Sequence, residues 1–352
     1  MMSIKSLESA RAYISVNPSF IKTVSHRISE VANRVLAPLI AFHNLIRPIN
    51  PVTQSREFRL IPSSVERFIG RMAYEPLLAK SGGKILETDF ENGRYATLVR
   101  EVGERLAAKC PRKDLEFEFS LVDSNVDNAW CLPGGKIAIN LGLVKHMESD
   151  VNNYGMEGNF TLSEKVAAVL SHEIIHAAAR HGGRKIEFSL FLTSALYAVK
   201  YVLSYFVLKS YDKEIAASQK DPLRLAQLKV SRDRAVENTG TILNPIIKWT
   251  RAGLNLCGSR RHELEADKFG MHLLASIGEE APFSDTTPRS AIWLMHFFAE
   301  HHSSKTGRGW LDWAMGFFHT HPTPEERLSV NLDTWQTLMQ DSIEKKRFLA
   351  RG

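Results

Sequence analysis

Apolar residues alternate at two places in the chain and elsewhere recur at the helical period. Over 116–123 (EFEFSLVD), Phe117, Phe119 and Leu121 alternate with Glu116, Glu118 and Ser120. A period of two buries one face of a strand. Over 136–141 (KIAINL), Ile137, Ile139 and Leu141 repeat the pattern, just after the turn sequence Pro133-Gly134-Gly135. These two strands are expected to pair as a small antiparallel sheet. Helices are predicted around them. Residues 88–109 read as one, with Thr88 and Glu91 spaced as a capping box and Gly93 and Gly103 weakening its interior. The strongest helix covers 161–180, opened by Thr161 and Glu164 as a second capping box and stopped by Gly182-Gly183. Ser259 caps a helix over 259–276. Thr323, Pro324, Glu325 and Glu326 open another over 323–339, supplying a cap, a proline at the first position and acidic residues for the dipole. Residues 1–60 read as helical and amphipathic, with Pro48, Pro51 and Pro62 marking a linker.

Composition refines this picture. With 44% hydrophobic and 24% charged residues, the 352-residue chain can bury a core without disulfides. Cys110, Cys131 and Cys257 fit neither a disulfide framework nor a four-cysteine zinc site. The net charge of +6 is scattered and forms no stripe, so no nucleic-acid partner is expected. The N-terminal MMSIKSLESARAYISV lacks an apolar signal core, which predicts a cytoplasmic protein or one peripheral at the inner membrane. Residues 188–208 are apolar and, as a helix of about 30 Å, long enough to cross a bilayer. Lys200 near the centre, at about 2.5–3.5 kcal/mol, and Ser189, Thr193, Ser194 and Ser204 argue against crossing. The segment is read as buried or interfacial, with tyrosines and basic flanks suited to a membrane surface. Residues 209–237 are charged and helix-prone. Residues 242–256, with Lys248 and Arg251, cannot span comfortably.

The chemistry gathers on the strongest helix. His172-Glu173-Ile174-Ile175-His176 places two imidazoles four residues apart on one helical face, where both reach a single ion. Glu173 projects beside them, placed to take a proton from an activated water. A metzincin would need histidine at position 182 and glycine at 179, but the chain has Gly182 and Ala179. His181 reads as a partly exposed cation at the helix C-terminus. The better third ligand is Glu263, which shares a helical face with Ala266, Asp267 and Gly270. The small Ala266 and Gly270 permit close approach to the first helix, and Asp267 can accept the free N–H of a ligand histidine. Glu265 is expected to point into solvent, and His262 to be structural.

Four segments then resemble the M-48 metallopeptidases, the family of HtpX, the CAAX prenyl protease, BepA-like and Oma-type proteases. They are Asn128-Ala-Trp-Cys-Leu-Pro-Gly-Gly135, His172-Glu-Ile-Ile-His176, Glu263-Leu-Glu-Ala-Asp267 and His321-Pro-Thr-Pro-Glu-Glu-Arg327, in the family's order. Trp130 stands where the family usually has phenylalanine. The resemblance implies one zinc ion per chain, with His172, His176 and Glu263 as ligands and Asp267 behind them. It also implies that His321 and Arg327 sit over the site as catalytic residues, and that Asn128, Ala129 and Trp130 bind substrate by strand addition.

The expected fold is therefore α+β: a mainly helical zincin (gluzincin) core with a short antiparallel sheet and an N-terminal helical extension. Residues 1–84 form extension and linker. Residues 85–340 form the metallopeptidase domain, with an insertion at about 186–257, and 341–352 a basic tail. The expected function is zinc-dependent hydrolysis of peptide bonds in protein or peptide substrates, in protein quality control. The alternatives are a membrane-embedded protease of the HtpX or CAAX type and a zinc-binding chaperone or pseudoprotease.

Overall fold

The computed structural model describes residues 46–278, 287–303 and 323–349, with the side chains of 238–259, 302–303 and 343–349 outside the description. The chain divides into two compact units. Of the first, the described part is a short turn in which Ile49 bridges Arg56 and Asn50 Nδ2 donates to Glu57 Oε2 at 2.8 Å. Of the helix expected over residues 1–60, 1–45 lie outside the described residues, and 47–60 form turns and a β-bridge instead of a helix.

The second unit holds the rest. Among the described residues its helices and strands are α1 (Ser63–Lys80), β1 (Lys84–Ile85), α2 (Gly93–Lys109), β2 (Glu118–Val122), β3 (Ala129–Leu132), β4 (Lys136–Asn140), α3 (Leu141–Ser149), α4 (Leu162–Ala178), α5 (His181–Ala217), α6 (Pro222–Ala275), α7 (Ser290–Ser303) and α8 (Pro324–Leu349). Helices dominate and one four-stranded sheet runs β1-β2-β4-β3, an α+β architecture. The sheet is mixed. β2 and β4, expected to be antiparallel, pair in parallel, Glu118 opposite Lys136 through Val122 opposite Asn140. The reason is β3, which precedes the Pro133-Gly134-Gly135 turn and pairs antiparallel with β4. That hairpin reverses the chain once more before β4 meets β2. Both β2 and β4 are buried on both faces. Phe119, Ile137 and Ile139 enter the main core, and Val122 and Ala138 pack with Tyr74 and Leu78 of α1.

α4 is the axis of the core. Thr161 caps it through a true capping box: its hydroxyl accepts from Glu164 N, and Glu164 Oε2 accepts from Thr161 N at 3.0 Å. Val166, Leu170 and Ile174 are wholly buried, where α4 meets α2, α6, α7 and β3. Other boundaries differ from the expected ones. α2 begins at Gly93, because Asp89 Oδ1 accepts from Glu91 N and Asn92 N and turns the chain before the helix. α4 ends at Ala178, and Gly182-Gly183 lie inside α5 rather than stopping α4. The break falls at Arg180, in the left-handed conformation at φ 61°. Its buried guanidinium is tied to Glu66 Oε1, Ile61 O and Glu187 Oε1 at 2.8–3.0 Å. Residues 259–275 are the end of the 54-residue α6, whose cap is Asp221 with Pro222 behind it.

α5 packs against α6, yet Phe191, Tyr201 and Phe206 are each 60% exposed or more. Over Leu162–Ala217 the most apolar stretch has a mean hydropathy of 1.5 and none of it is buried. Of the buried or interfacial placement expected for 188–208, the buried one is thereby overturned.

Candidate metal centre

Two helices build the site. α4 presents His172 and His176, and α6 presents Glu263 and Asp267. The helices approach closely because Ala266 is fully buried and Gly270 lies on α4. A Cβ on Gly270 would stand 3.3 Å from Ser171 Oγ and 3.4 Å from His172 N.

The ligand atoms form a tight triangle. His172 Nε2 is 2.9 Å from His176 Nε2 and 3.1 Å from Glu263 Oε2, and His176 Nε2 is 3.2 Å from Glu263 Oε1. These atoms lie within 4.8 Å of one another and could hold a metal ion. The fit to zinc is close: at bond lengths near 2.0–2.1 Å, tetrahedral ligand atoms stand about 3.3 Å apart. Two nitrogens and a carboxylate are also the donor set that zinc takes.

Behind His172, Nδ1 meets Asp267 Oδ1 at 2.9 Å. Arg327 donates to both Asp267 oxygens, at 2.7 and 2.6 Å, and its Nη2 lies 3.3 Å from His172 Nδ1. All three side chains are buried or nearly so. Burial and the Arg327 charge would push His172 down, but the hydrogen bonds to Asp267 and Glu263 and the Asp267 charge outweigh them, raising it to about 9. Burial would raise the Asp267 carboxyl, yet Arg327 and His172 bring it below its ordinary value. Arg327 was expected over the site. Its guanidinium instead lies on the Nδ1 side of His172, engaged with Asp267. His321 lies outside the described residues.

Behind His176 stands a group the sequence reading missed. His181 Nδ1 is 2.8 Å from His176 Nδ1, and His181 Nε2 is 3.2 Å from Glu265 Oε2. His181 is 1% exposed, not a surface cation. Burial first, then the neighbouring His176 and His262, push its pKa well down. Glu265 does not point into solvent: Arg184 Nη2 donates to its Oε2 at 2.8 Å. The His262 ring stacks on His181 with centroids 4.4 Å apart, and burial drives His262 down to about 3.

β3 lies at the edge of the sheet beside α4. Asn128 accepts from Asn140 N through its carbonyl at 2.9 Å, Ala129 pairs with Ile139, and Trp130 pairs with Ala138 and meets Tyr74 edge-on. Cys131, given no role in the sequence reading, lies beside Glu173. Burial first, then the neighbouring Glu173, raise its thiol well above the ordinary value. The edge strand and the HExxH glutamate are therefore neighbours.

A family model, Peptidase family M48, matches residues 94–335, well over half of the chain. The chain belongs to peptidase family M48. Within the M48 relatives, it is 24% identical over 291 residues to the mitochondrial metalloendopeptidase OMA1 of Schizosaccharomyces pombe, covering 81% of this chain and 65% of that protein. It is 28% identical over 180 residues to the Arabidopsis thaliana protein of the same name, 51% of this chain and 27% of that one. The chain thus matches just under two thirds of the first relative's length and about a quarter of the second's. Among solved structures, the S. mikatae Ste24p crystal structure aligns at a TM-score of 0.36 and 14% identity, over 89% of this chain and 66% of that chain.

Proposed function

We propose that this M48 chain is a zinc-dependent endopeptidase that hydrolyses peptide bonds of protein substrates, serving protein quality control. The observation that carries the reading is the triangle of His172 Nε2, His176 Nε2 and Glu263 with edges of 2.9–3.2 Å. These three residues are assigned as ligands of one zinc ion per chain, with a fourth position open as catalytic sites require. Bound zinc would supply Lewis acidity to the scissile carbonyl and acidify the attacking water. Glu173, next to His172 and outside the triangle, is assigned as the base that takes the water's proton and returns it to the leaving amine. Asp267 and Arg327 fix the His172 ring. The β3 edge, through Asn128, Ala129 and Trp130, is assigned to hold substrate backbone by strand addition. His321 is assigned, on the resemblance alone, as donor to the developing oxyanion.

We also place the protein at a membrane surface. At 100° per residue, the exposed Phe188, Leu190, Phe191, Tyr197, Val199, Tyr201 and Leu203 sweep more than half the circumference of α5. Ser189, Thr193, Lys200 and Ser204 fall on the remaining stripe, the less exposed one. α6 follows α5 after four residues and packs against it; counted back from that turn, Arg232, Asp233, Arg234 and Glu237 fall near the level of the C-terminal half of the apolar stretch of α5. Charges at that depth favour an in-plane attachment over a span.

The deciding experiment is metal content with peptide hydrolysis. Purified protein should carry about one zinc per chain, lose hydrolysis on chelation and regain it with zinc. Undiminished zinc in a His172→Ala, His176→Ala double variant would overturn the assignment.

A further inference from the structure

We propose that His181 is a positioning residue for the metal site, holding His176 from behind with Glu265 and Arg184 as its anchor. The inference rests on the zinc reading above and extends it to the second histidine.

The geometry leaves one consistent placement of protons. Two Nδ1 atoms 2.8 Å apart share a single hydrogen. If His176 gives its Nε2 lone pair to a metal, its proton sits on Nδ1 and is donated to Nδ1 of His181. The His181 proton is then on Nε2, aimed at Glu265 Oε2 at 3.2 Å. Glu265 is fixed in turn by Arg184 at 2.8 Å on Oε2 and by Arg261 at 3.0 Å on Oε1. The His262 ring, 4.4 Å away and only 5° from parallel, holds the plane of the His181 ring. The result parallels the chain from His172 through Asp267 to Arg327: each histidine is backed by a line of polar groups ending in a carboxylate–arginine pair. Such support fixes ring orientation and raises ligand basicity.

The backbone is arranged for this contact. In a continuous helix, a residue five positions after His176 would point about 140° away from it. The left-handed Arg180, φ 61°, breaks α4 and swings His181 back beside His176. Arg180 is itself buried and bound by Glu66, Ile61 and Glu187, so the redirected backbone is held in place.

The test measures zinc affinity of the full chain by chelator competition, beside the thermal midpoint of the metal-stripped protein and the visible spectrum after cobalt replacement. His181→Leu should weaken zinc roughly 10–100-fold, the usual effect of losing such a partner, and alter the cobalt spectrum. His181→Asn should recover part of the affinity, since its amide oxygen stands where Nδ1 accepts. Glu265→Gln, which keeps the shape and lies nearer the surface, should weaken zinc in the same direction and guards against a misfolded His181→Leu. Unchanged affinity and spectrum in His181→Leu and Glu265→Gln would overturn the proposal. So would losses equal in the Leu and Asn variants that merely track the metal-free midpoint. His176→Ala serves as the control: if it also keeps full affinity, the zinc reading itself has failed.

Discussion

Glu173 follows His172 in the chain and Arg327 stands at its Nδ1, and their chemistry separates cleanly. Glu173 lies outside the ligand triangle and meets the Cys131 thiol. Glu173→Gln should therefore keep zinc while lowering peptide turnover about 10²–10⁴-fold, the usual contribution of a general base. Retained zinc with full turnover would remove Glu173 from that role. Biological activity retained without turnover would instead favour a chaperone. Arg327 acts through Asp267. Arg327→Ala takes the guanidinium from the buried Asp267 and leaves it only His172 Nδ1, a defect of up to about 3–5 kcal/mol, so the thermal midpoint should fall and zinc affinity with it. An unchanged midpoint would show that Asp267 needs no such partner. What the sequence made legible here is instructive. His172, His176, Glu263 and Asp267 could be read because each pair is four apart on one helix, and the period of 3.6 carries that information. His181 and Glu265 could not. Reading one helix through residue 180 turns His181 away from His176, and only the left-handed Arg180 brings it back.

At the level of elements, close approach decides the geometry. α6 reaches α4 over Gly270, where a Cβ would already stand 3.3 Å from Ser171 Oγ. Gly270→Val should push the helices apart, costing about 1–3 kcal/mol in stability as overpacked contacts do. It should also weaken zinc, since Glu263 rides on α6; stability and zinc affinity both unchanged would mean the contact is slack. Gly103 works the same way between α2 and β2: a Cβ there would fall 2.4 Å from the Phe119 ring. The sequence marked that glycine only as a weak point in a helix, because one-dimensional periodicity cannot show what packs across it. The same limit explains the sheet. Alternation located β2 and β4 but not their direction, which is set by the short β3 between them. β3 has no alternating burial, each residue being half-buried. α3 and α7 went unread as well. α7 is apolar nearly all round, with Trp293 and Phe297 buried, so no amphipathic stripe marks it.

Across the whole molecule, α5 leads away from the metal centre, 37 residues and about 55 Å long. Its first residue is His181, against a proposed zinc ligand, and its middle is the exposed apolar arc. Sequence reading counted Lys200 and the serines against a span as if they were scattered. On the helix, Ser189, Thr193, Lys200 and Ser204 share one stripe, and the arc beside it is apolar apart from the exposed Ser194. An apolar arc that wide, left in water, is an aggregation hazard or a contact site. With Arg232, Asp233, Arg234 and Glu237 standing on α6 near the same level, the arc suits the boundary of headgroups and acyl chains. The protein should float with vesicles of mixed neutral and anionic lipid, and alkaline carbonate should release it from membranes. Phe191→Glu with Phe206→Glu should abolish flotation while leaving zinc content intact, because neither residue is near the triangle. Resistance to carbonate, together with protection of 209–237 from added protease, would instead establish a hairpin that crosses the bilayer. In that case the charges on α6 would have to face a water-filled cavity or one another.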